Sequence, residues 1–303
     1  MFKVRVIDNI FGNRELVEKI ISDYGYSSDH NFWYFNNMKG DSVVPKFFVF
    51  DEKYAVFALH YLDDNDFEII SDVLAPPEER VSVLSQFVDH ALSESGKVFL
   101  TLDKSLKRDF VRKIDSKYLA HKPTRVFDSP IYDLKKFDPS ICGGQWKKVR
   151  NHLNQFFRNH KVEVRDFDSK DKEAVKFVVM GWGKSRKSSV AKSWIPVFLN
   201  FVENDFKGCD MARVIYVDDE PCSVTAGWRI PNSNGYYSAI GIHNYKYNGL
   251  GEAAYVDDLT QLKLRGFDFV DFGGSERKNL LDFKLKFAPE RVVRQYLFGV
   301  SKR

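Results

Sequence analysis

Lys246-Tyr247-Asn248-Gly249-Leu250-Gly251 is the segment of this sequence best suited to hold a ligand, because it lies directly between a strand-like run and a helix-like one. Glycines there let the backbone turn tightly with its N–H groups pointing inward, and the following helix adds its positive end. Such a loop suits a diphosphate, with Lys246 supplying charge. A second cluster is Trp182-Gly183-Lys184-Ser185-Arg186-Lys187-Ser188, continuing to Trp194. Aromatics interleaved with cations suit a phosphate-bearing or nucleic-acid ligand, so Trp182, Lys184, Arg186 and Lys187 are expected to bind such a ligand.

Other chemistries find little support. Cys142, Cys209 and Cys222 are odd in number and widely spaced, which argues against a disulfide framework or a zinc cluster and for a reducing compartment. Seven histidines include no HExxH or HxxxH pair, so no metal is expected. The longest apolar runs are far too short to cross a bilayer, and Met1 to Gly12 lacks an apolar signal core. A soluble cytoplasmic protein is expected.

The chain must next supply elements to position these groups. Its 303 residues suffice for two domains. In the first half, the pattern predicts a helix over Arg14 to Tyr24 and strands over Phe32 to Asn36, Pro45 to Phe50, Tyr54 to Tyr61 and Phe67 to Leu74. A helix over Glu78 to Ser93, a strand over 98–102, a basic helix over Ser105 to Ile114 and a strand over Arg125 to Leu134 complete it. The second half repeats the plan. Helices over Asp171 to Trp182 and Ser193 to Phe206 precede strands over Ala212 to Val217, Ser223 to Ile230 and Tyr236 to Ile242. A helix over Leu250 to Arg265 and strands over Phe267 to Phe272 and Val292 to Val300 follow. Pro139, Gly143 and Gly144 punctuate a linker over Lys135 to Gly144, which divides the chain into units 1–138 and 139–303. The fold class is α/β, a mixed sheet with helices.

Charge is uneven although the net value is only +4. Asp63, Asp64, Asp66 and Glu68 make the first hundred residues acidic-leaning. Lys104, Lys107, Arg108, Arg112 and Lys113, then Lys147, Lys148, Arg150 and Arg158, make the middle basic. That asymmetry hints at an anionic partner. The helix Gln145 to Asn159 has Trp146, Val149, Leu153, Phe156 and Phe157 as its apolar face.

The glycine loop after the third strand of a hairpin meander resembles the acyl-CoA signature of the GNAT acyltransferases, with Lys246 where that family usually has Gln or Arg. The tail Asp271-Phe272-Gly273-Gly274-Ser275-Glu276, followed by Phe283-Lys284-Leu285-Lys286-Phe287, resembles the end of FemABX aminoacyltransferases and of the phosphatidylglycerol lysyltransferase C-terminal domain. The resemblance covers about Gly144 to Phe298 and implies two tandem GNAT-like units. At the matching junction of the first half stands Ala75-Pro76-Pro77-Glu78-Glu79-Arg80. Its prolines carry no N–H and its carboxylates repel phosphate, so that unit is expected to lack a donor site.

The resemblance further implies that the third and fourth strands part to admit the donor, whose arm lies along the strand edge at Ile240 and Ile242. Lys246, Asn248, Gly249, Leu250, Gly251 and Glu252 would complete the donor site, and residues 182–194, with Trp182, Lys184, Arg186 and Lys187, would form a flexible lid over the acceptor. Lys284 falls at the reaction centre. Tyr236, Tyr237, Ser238, His243 and Asp271 are candidates for base, acid or oxyanion donor. The donor is acyl-CoA, such as acetyl-CoA, or aminoacyl-tRNA, and the acceptor a small molecule or nucleic acid. A different class also fits: a non-catalytic nucleic-acid-binding protein on a degenerate GNAT scaffold.

Overall fold

The computed structural model describes residues 2–185, 194–275 and 277–303. The first half runs β1 (Val4–Ile7), α1 (Arg14–Tyr24), α2 (Phe32–Asn37), β2 (Val43–Phe50), β3 (Tyr54–Tyr61), β4 (Asp66–Ile69), α3 (Arg80–Glu94), β5 (Lys97–Asp103), α4 (Lys104–Lys113), β6 (Tyr118–Ala120) and β7 (Arg125–Asp133). The second continues with α5 (Lys147–Asn159), β8 (Val162–Asp166), α6 (Lys172–Ser185), α7 (Ile195–Glu203), β9 (Met211–Val217), β10 (Glu220–Arg229), β11 (Gly235–His243), α8 (Leu250–Leu264), β12 (Phe269–Asp271), α9 (Lys278–Leu285) and β13 (Arg291–Lys302).

Both halves turn their first hairpin in the same way. Asp51 and Glu52 join β2 to β3 at φ +50° and +54°, and Asp218 and Asp219 join β9 to β10 at +53° and +67°. Two successive positive φ values match the twist of paired strands.

The strands form one sheet in the order β1-β2-β3-β4-β5-β13-β7-β12-β11-β10-β9-β8, with β6 also on β13. Two pairs, β4–β5 and β11–β12, are parallel and the other pairs antiparallel. The placement of β7 and β13 is not readable from local pattern. β7, which closes the first half of the chain, pairs with β12 of the second, and β13 pairs with β5 of the first. The two exchanged strands pair with each other from Arg291↔Ile131 to Leu297↔Arg125, so the sheet crosses its centre without a break.

Helices α3 and α4 cover the first half's sheet on one side, packing Phe87 and Phe110 against Phe48, Phe67 and Phe298. Helices α5 and α8 do the same for the second half. The four helices α1, α2, α6 and α7 share one core across both halves. Asn204 Nδ2 donates to Asn37 Oδ1 at 3.0 Å, and Trp228 Nε1 to the Ser28 carbonyl at 2.8 Å.

Two expectations are corrected here. Phe32–Asn37 is a helix, not a strand: its aromatics have high strand propensity, but the Asn31 side chain accepts from the Tyr34 N–H and caps a helical turn. Phe157 does not belong to the buried face of α5, being 51% exposed, because the stripe Val149-Leu153-Phe156 already fills the contact.

Candidate active site between β11 and β12

Strand β11 pairs with β12 only over Gly235↔Phe269, Tyr236↔Val270 and Tyr237↔Asp271, and then the two separate. A bulge marks the place. Between Ala226↔Ile240 and Trp228↔Tyr237, Ser238 and Ala239 of β11 oppose Gly227 alone. A Cβ on Gly227 would lie 1.9 Å from the Tyr237 carbonyl oxygen, so no side chain fits there. The bulge re-aims successive side chains: Tyr237 packs into the core shared with α6 and α7, while Ser238 meets α8 on the other face.

The parting strands open a cavity of about 750 Å³. It reaches from the glycine loop, past Ser238 and Ile240, to Trp182, Trp194 and Phe198 on the other face. That volume suits a small molecule or the reactive end of a larger one. Gly249 stands at φ +94° as the residue before α8, and a Cβ on it would lie 2.9 Å from Phe156 Cβ and 3.0 Å from the His152 carbonyl oxygen. Turn geometry and packing against α5 both require glycine. Gly251 is less confined, its missing Cβ facing Phe283 Cζ at 3.2 Å. The helix leaves its first N–H groups without helical partners, pointing at the loop. Glu252 lies in that first turn and is buried, its Oε1 2.8 Å from His152 Nδ1 and 3.2 Å from Lys286 Nζ. Despite burial, those bonds hold its carboxyl below the ordinary value.

Lys284 is 4% exposed and lines the cavity. Its Nζ donates to the carbonyls of Phe272 at 2.7 Å and Gly273 at 2.8 Å. Two of its three ammonium protons are thus committed to the glycine turn, and one remains for a ligand. Burial lowers its pKa to about 8, with Asp271 opposing. The side chain is no surface lysine; α9 faces the sheet on this side, and Tyr132 Oη donates to the Lys284 carbonyl at 2.7 Å.

Asp271 lies just behind. Its carboxylate accepts from Ser28 Oγ at 2.6 Å and from the Gly273 N–H at 2.7 Å. The first half of the chain therefore reaches this site through the loop between α1 and α2. Asp29, next in that loop, is pushed up to about 8 by burial and by Asp271, and it hydrogen-bonds Tyr237. Asp258 on α8 lines the cavity at 1% exposure, and burial pushes it up to about 7. His243 also lines it, with Nδ1 2.7 Å from Ser223 Oγ.

Of the residues singled out in the sequence, the structure gathers Lys284, His243, Tyr237, Ser238, Ile240, Lys246, Asn248, Gly249, Leu250, Gly251, Glu252 and Trp182 around one cavity. Asp271 backs it. Ile242 is buried in the core rather than facing the cleft, and Lys184 is exposed on the last turn of α6 away from the cavity. Trp182 to Ser185 are helix, not the loop expected of a lid, while Arg186 and Lys187 lie outside the described residues. Asp258, Asp29 and Thr225 join the site although the sequence motifs do not point to them. The signal for Asp258 is its place on the buried stripe Tyr255-Asp258-Leu259-Leu262, where a carboxylate is out of character.

The model of the family described as phosphatidylglycerol lysyltransferase, C-terminal, matches residues 69–298. The chain belongs to that family. The structure of L-PGS from Bacillus licheniformis is similar at a TM-score of 0.66 and 15% identity, over 95% of this chain and 91% of that one. FemX is similar at 0.63 and 9%, over 98% and 96%. A tandem GNAT protein from the clavulanic acid biosynthesis pathway is similar at 0.61 and 8%, over 99% and 98%. At such identities these structures speak for the fold, which is two tandem GNAT-like units. No curated protein matches the sequence. The family is one of transferases with a GNAT-like fold, and no helix among the described residues is long and apolar enough to cross a membrane.

Proposed function

We propose that the chain moves an acyl or aminoacyl group from an ester or thioester donor to an amine or hydroxyl, with the donor site in 139–303 and none in 1–138. The observation that carries this reading is the cavity through the parted strands β11 and β12, open to the glycine loop on one face and to Trp182 and Trp194 on the other. Two reactants entering from opposite faces would meet beside Lys284. The acceptor's N or O forms a bond to the acyl carbon, the bond from that carbon to the donor's S or O breaks, and the acceptor's proton passes to the leaving group. The third proton of Lys284 would stabilise the oxyanion that forms on the way.

Both proposed donors carry phosphate, and Lys246 with the glycine turn supports acyl-CoA. Glu252 weighs the other way, because a buried carboxylate in the first turn of α8 occupies the positive helix end that a diphosphate would use. We therefore favour an aminoacyl ester, such as one carried on tRNA; the family is likewise named for lysyl transfer. Either donor is made inside cells, so a cytoplasmic site of action follows from the same reading. The test incubates the full chain with aminoacyl-tRNA or acetyl-CoA together with anionic lipid or amine acceptors and follows the mass of the products. Transfer from the ester alone supports the reading, and transfer from acetyl-CoA alone moves the donor to CoA. Stoichiometric nucleic-acid binding with no transfer from either would replace it by the binding-protein alternative.

A further inference from the structure

Asp258 is buried at the floor of the cavity and has hydroxyl partners but no cation. Thr225 Oγ1 donates to its Oδ1 at 2.7 Å and Ser238 Oγ to its Oδ2 at 3.3 Å. Among the described residues no lysine, arginine or histidine forms a salt bridge with it. Arg213, on β9, acts on it through space, but that guanidinium is engaged by Asp257 at 2.8 and 3.1 Å and by Asp166 at 3.1 Å. Asp257 on the same helix opposes ionisation of Asp258. A carboxylate has about four acceptor positions, and the hydroxyls use two.

A purely structural tie between β10, β11 and α8 would need only those two bonds and would not need a wall of the cavity. Asp258 does line the cavity, and so do Thr225, Ser238 and Tyr255, one helical turn back. An ammonium group set among them would find a charge and two hydroxyl oxygens, the Tyr255 ring being already stacked on Phe272 and Phe287. The bulge in β11 is what turns Ser238 toward this spot.

We infer that Asp258, Thr225 and Ser238 form a subsite for a primary ammonium group of the substrate. It lies on the α8 side of the sheet, where the glycine loop also lies, which assigns the ammonium to the transferred aminoacyl group rather than to the acceptor. That assignment rests on the transfer reading above; the subsite itself does not.

The experiment is equilibrium binding to the full chain at neutral pH, by calorimetry or ligand-observed NMR, using probes matched except at one group. L-Alanine methyl ester is compared with methyl L-lactate as donor-like probes, and n-butylamine with n-butanol as amines lacking an acyl group. The wild type should prefer the amino ester to the hydroxy ester by about 10-fold or more, as expected for a charge-assisted bond in a buried site. Asp258→Asn, nearly identical in shape, should bring the pair within about 2-fold. Preference confined to the butylamine pair would keep the subsite and give it to the acceptor. No preference in either wild-type pair overturns the proposal, as does a preference that survives Asp258→Asn. Should that variant not fold, the wild-type comparison and Ser238→Ala decide the matter. None of these readouts needs turnover. A protein that transfers without the preference refutes the subsite alone, and one that shows the preference without transfer refutes only the transfer reading.

Discussion

Strands β4 and β5 in the first half, like β11 and β12 in the second, pair in parallel for three residues, Phe67↔Val98 to Ile69↔Leu100, and stop. Beyond those pairs the two halves diverge. After β4 the chain swings out over Ile70 to Val73 and returns to β3, where Leu74 and Ala55 exchange two backbone bonds of 2.9 Å. Val73, Leu74 and Ala75 are fully packed, His30 Nε2 holds the Asp72 carbonyl at 2.8 Å, and Arg80 lies over the Tyr26 ring at 3.6 Å. The first half thus fills its gap with its own chain, while the second leaves an open cavity. One architectural device yields a core in one place and a reaction chamber in the other, and the deciding residues are those just after the third meander strand.

The largest effect should come from closing the second gap. Gly227→Val forces a side chain onto the Tyr237 carbonyl and abolishes the bulge, so stability should drop by about 3 kcal/mol or more, read as a fall in Tm, with loss of transfer. An unchanged Tm would show that the bulge can move. Next is Lys284→Met, which keeps the stem and deletes the charge. Turnover should fall about 100-fold or more, the scale of a lost oxyanion donor, while the fold persists because a buried charge is also removed. Full activity in the folded variant would reduce Lys284 to a clamp on the glycine turn.

A smaller effect concerns pH. Asp29, Asp258 and Asp72 are pushed up to about 8, 7 and 6, chiefly by burial. Between about pH 4 and pH 8 the folded chain therefore holds protons that the unfolded chain has released, so stability falls as pH rises through that window. Burial lowers the His30 imidazole to about 4, which offsets part of the decline below about pH 6.5, while the opposite contributions of Glu252 and Asp171, whose carboxyls are held low, are confined to more acid conditions. Urea midpoints at pH 5 and pH 8 should show the decline, and Asp258→Asn should flatten it by roughly 1–3 kcal/mol. An identical slope in the variant would mean that Asp258 does not titrate there. The smallest effect is expected in the first half. Glu78→Gln with Glu79→Gln removes the charges at the Pro76-Pro77 junction and should leave donor affinity within about 2-fold, because no donor sits there. A large gain in donor binding would break the contrast between the halves.

The meander order, the glycine loop and the stretch of cavity lining beside it are legible in the sequence because they depend on local spacing: hairpin turns, strand alternation and glycines before a helix. Helix α2 defies its local pattern because Phe32, Trp33, Tyr34 and Phe35 favour strands, and a single capping Asn31 outweighs them. The burial of Lys284 is illegible. Only the docking of α9 on β7 removes it from water, and that contact spans about half the chain. Asp29 joins the site from an opposite end of the sequence for the same reason.

The crossing of β7 and β13 has a practical meaning for anyone who cuts this protein. A fragment ending near residue 138 would lack the strand that covers β5, and a fragment beginning there would lack the strand that covers β12, beside the cavity. Each piece would expose unpaired backbone along a central strand, the condition under which chains associate through each other's edges. Mixed together, the two pieces should recover what each lacks alone. Apart from Tyr34 the cavity is lined by the second half, but its walls are held in place by a chain that must be whole.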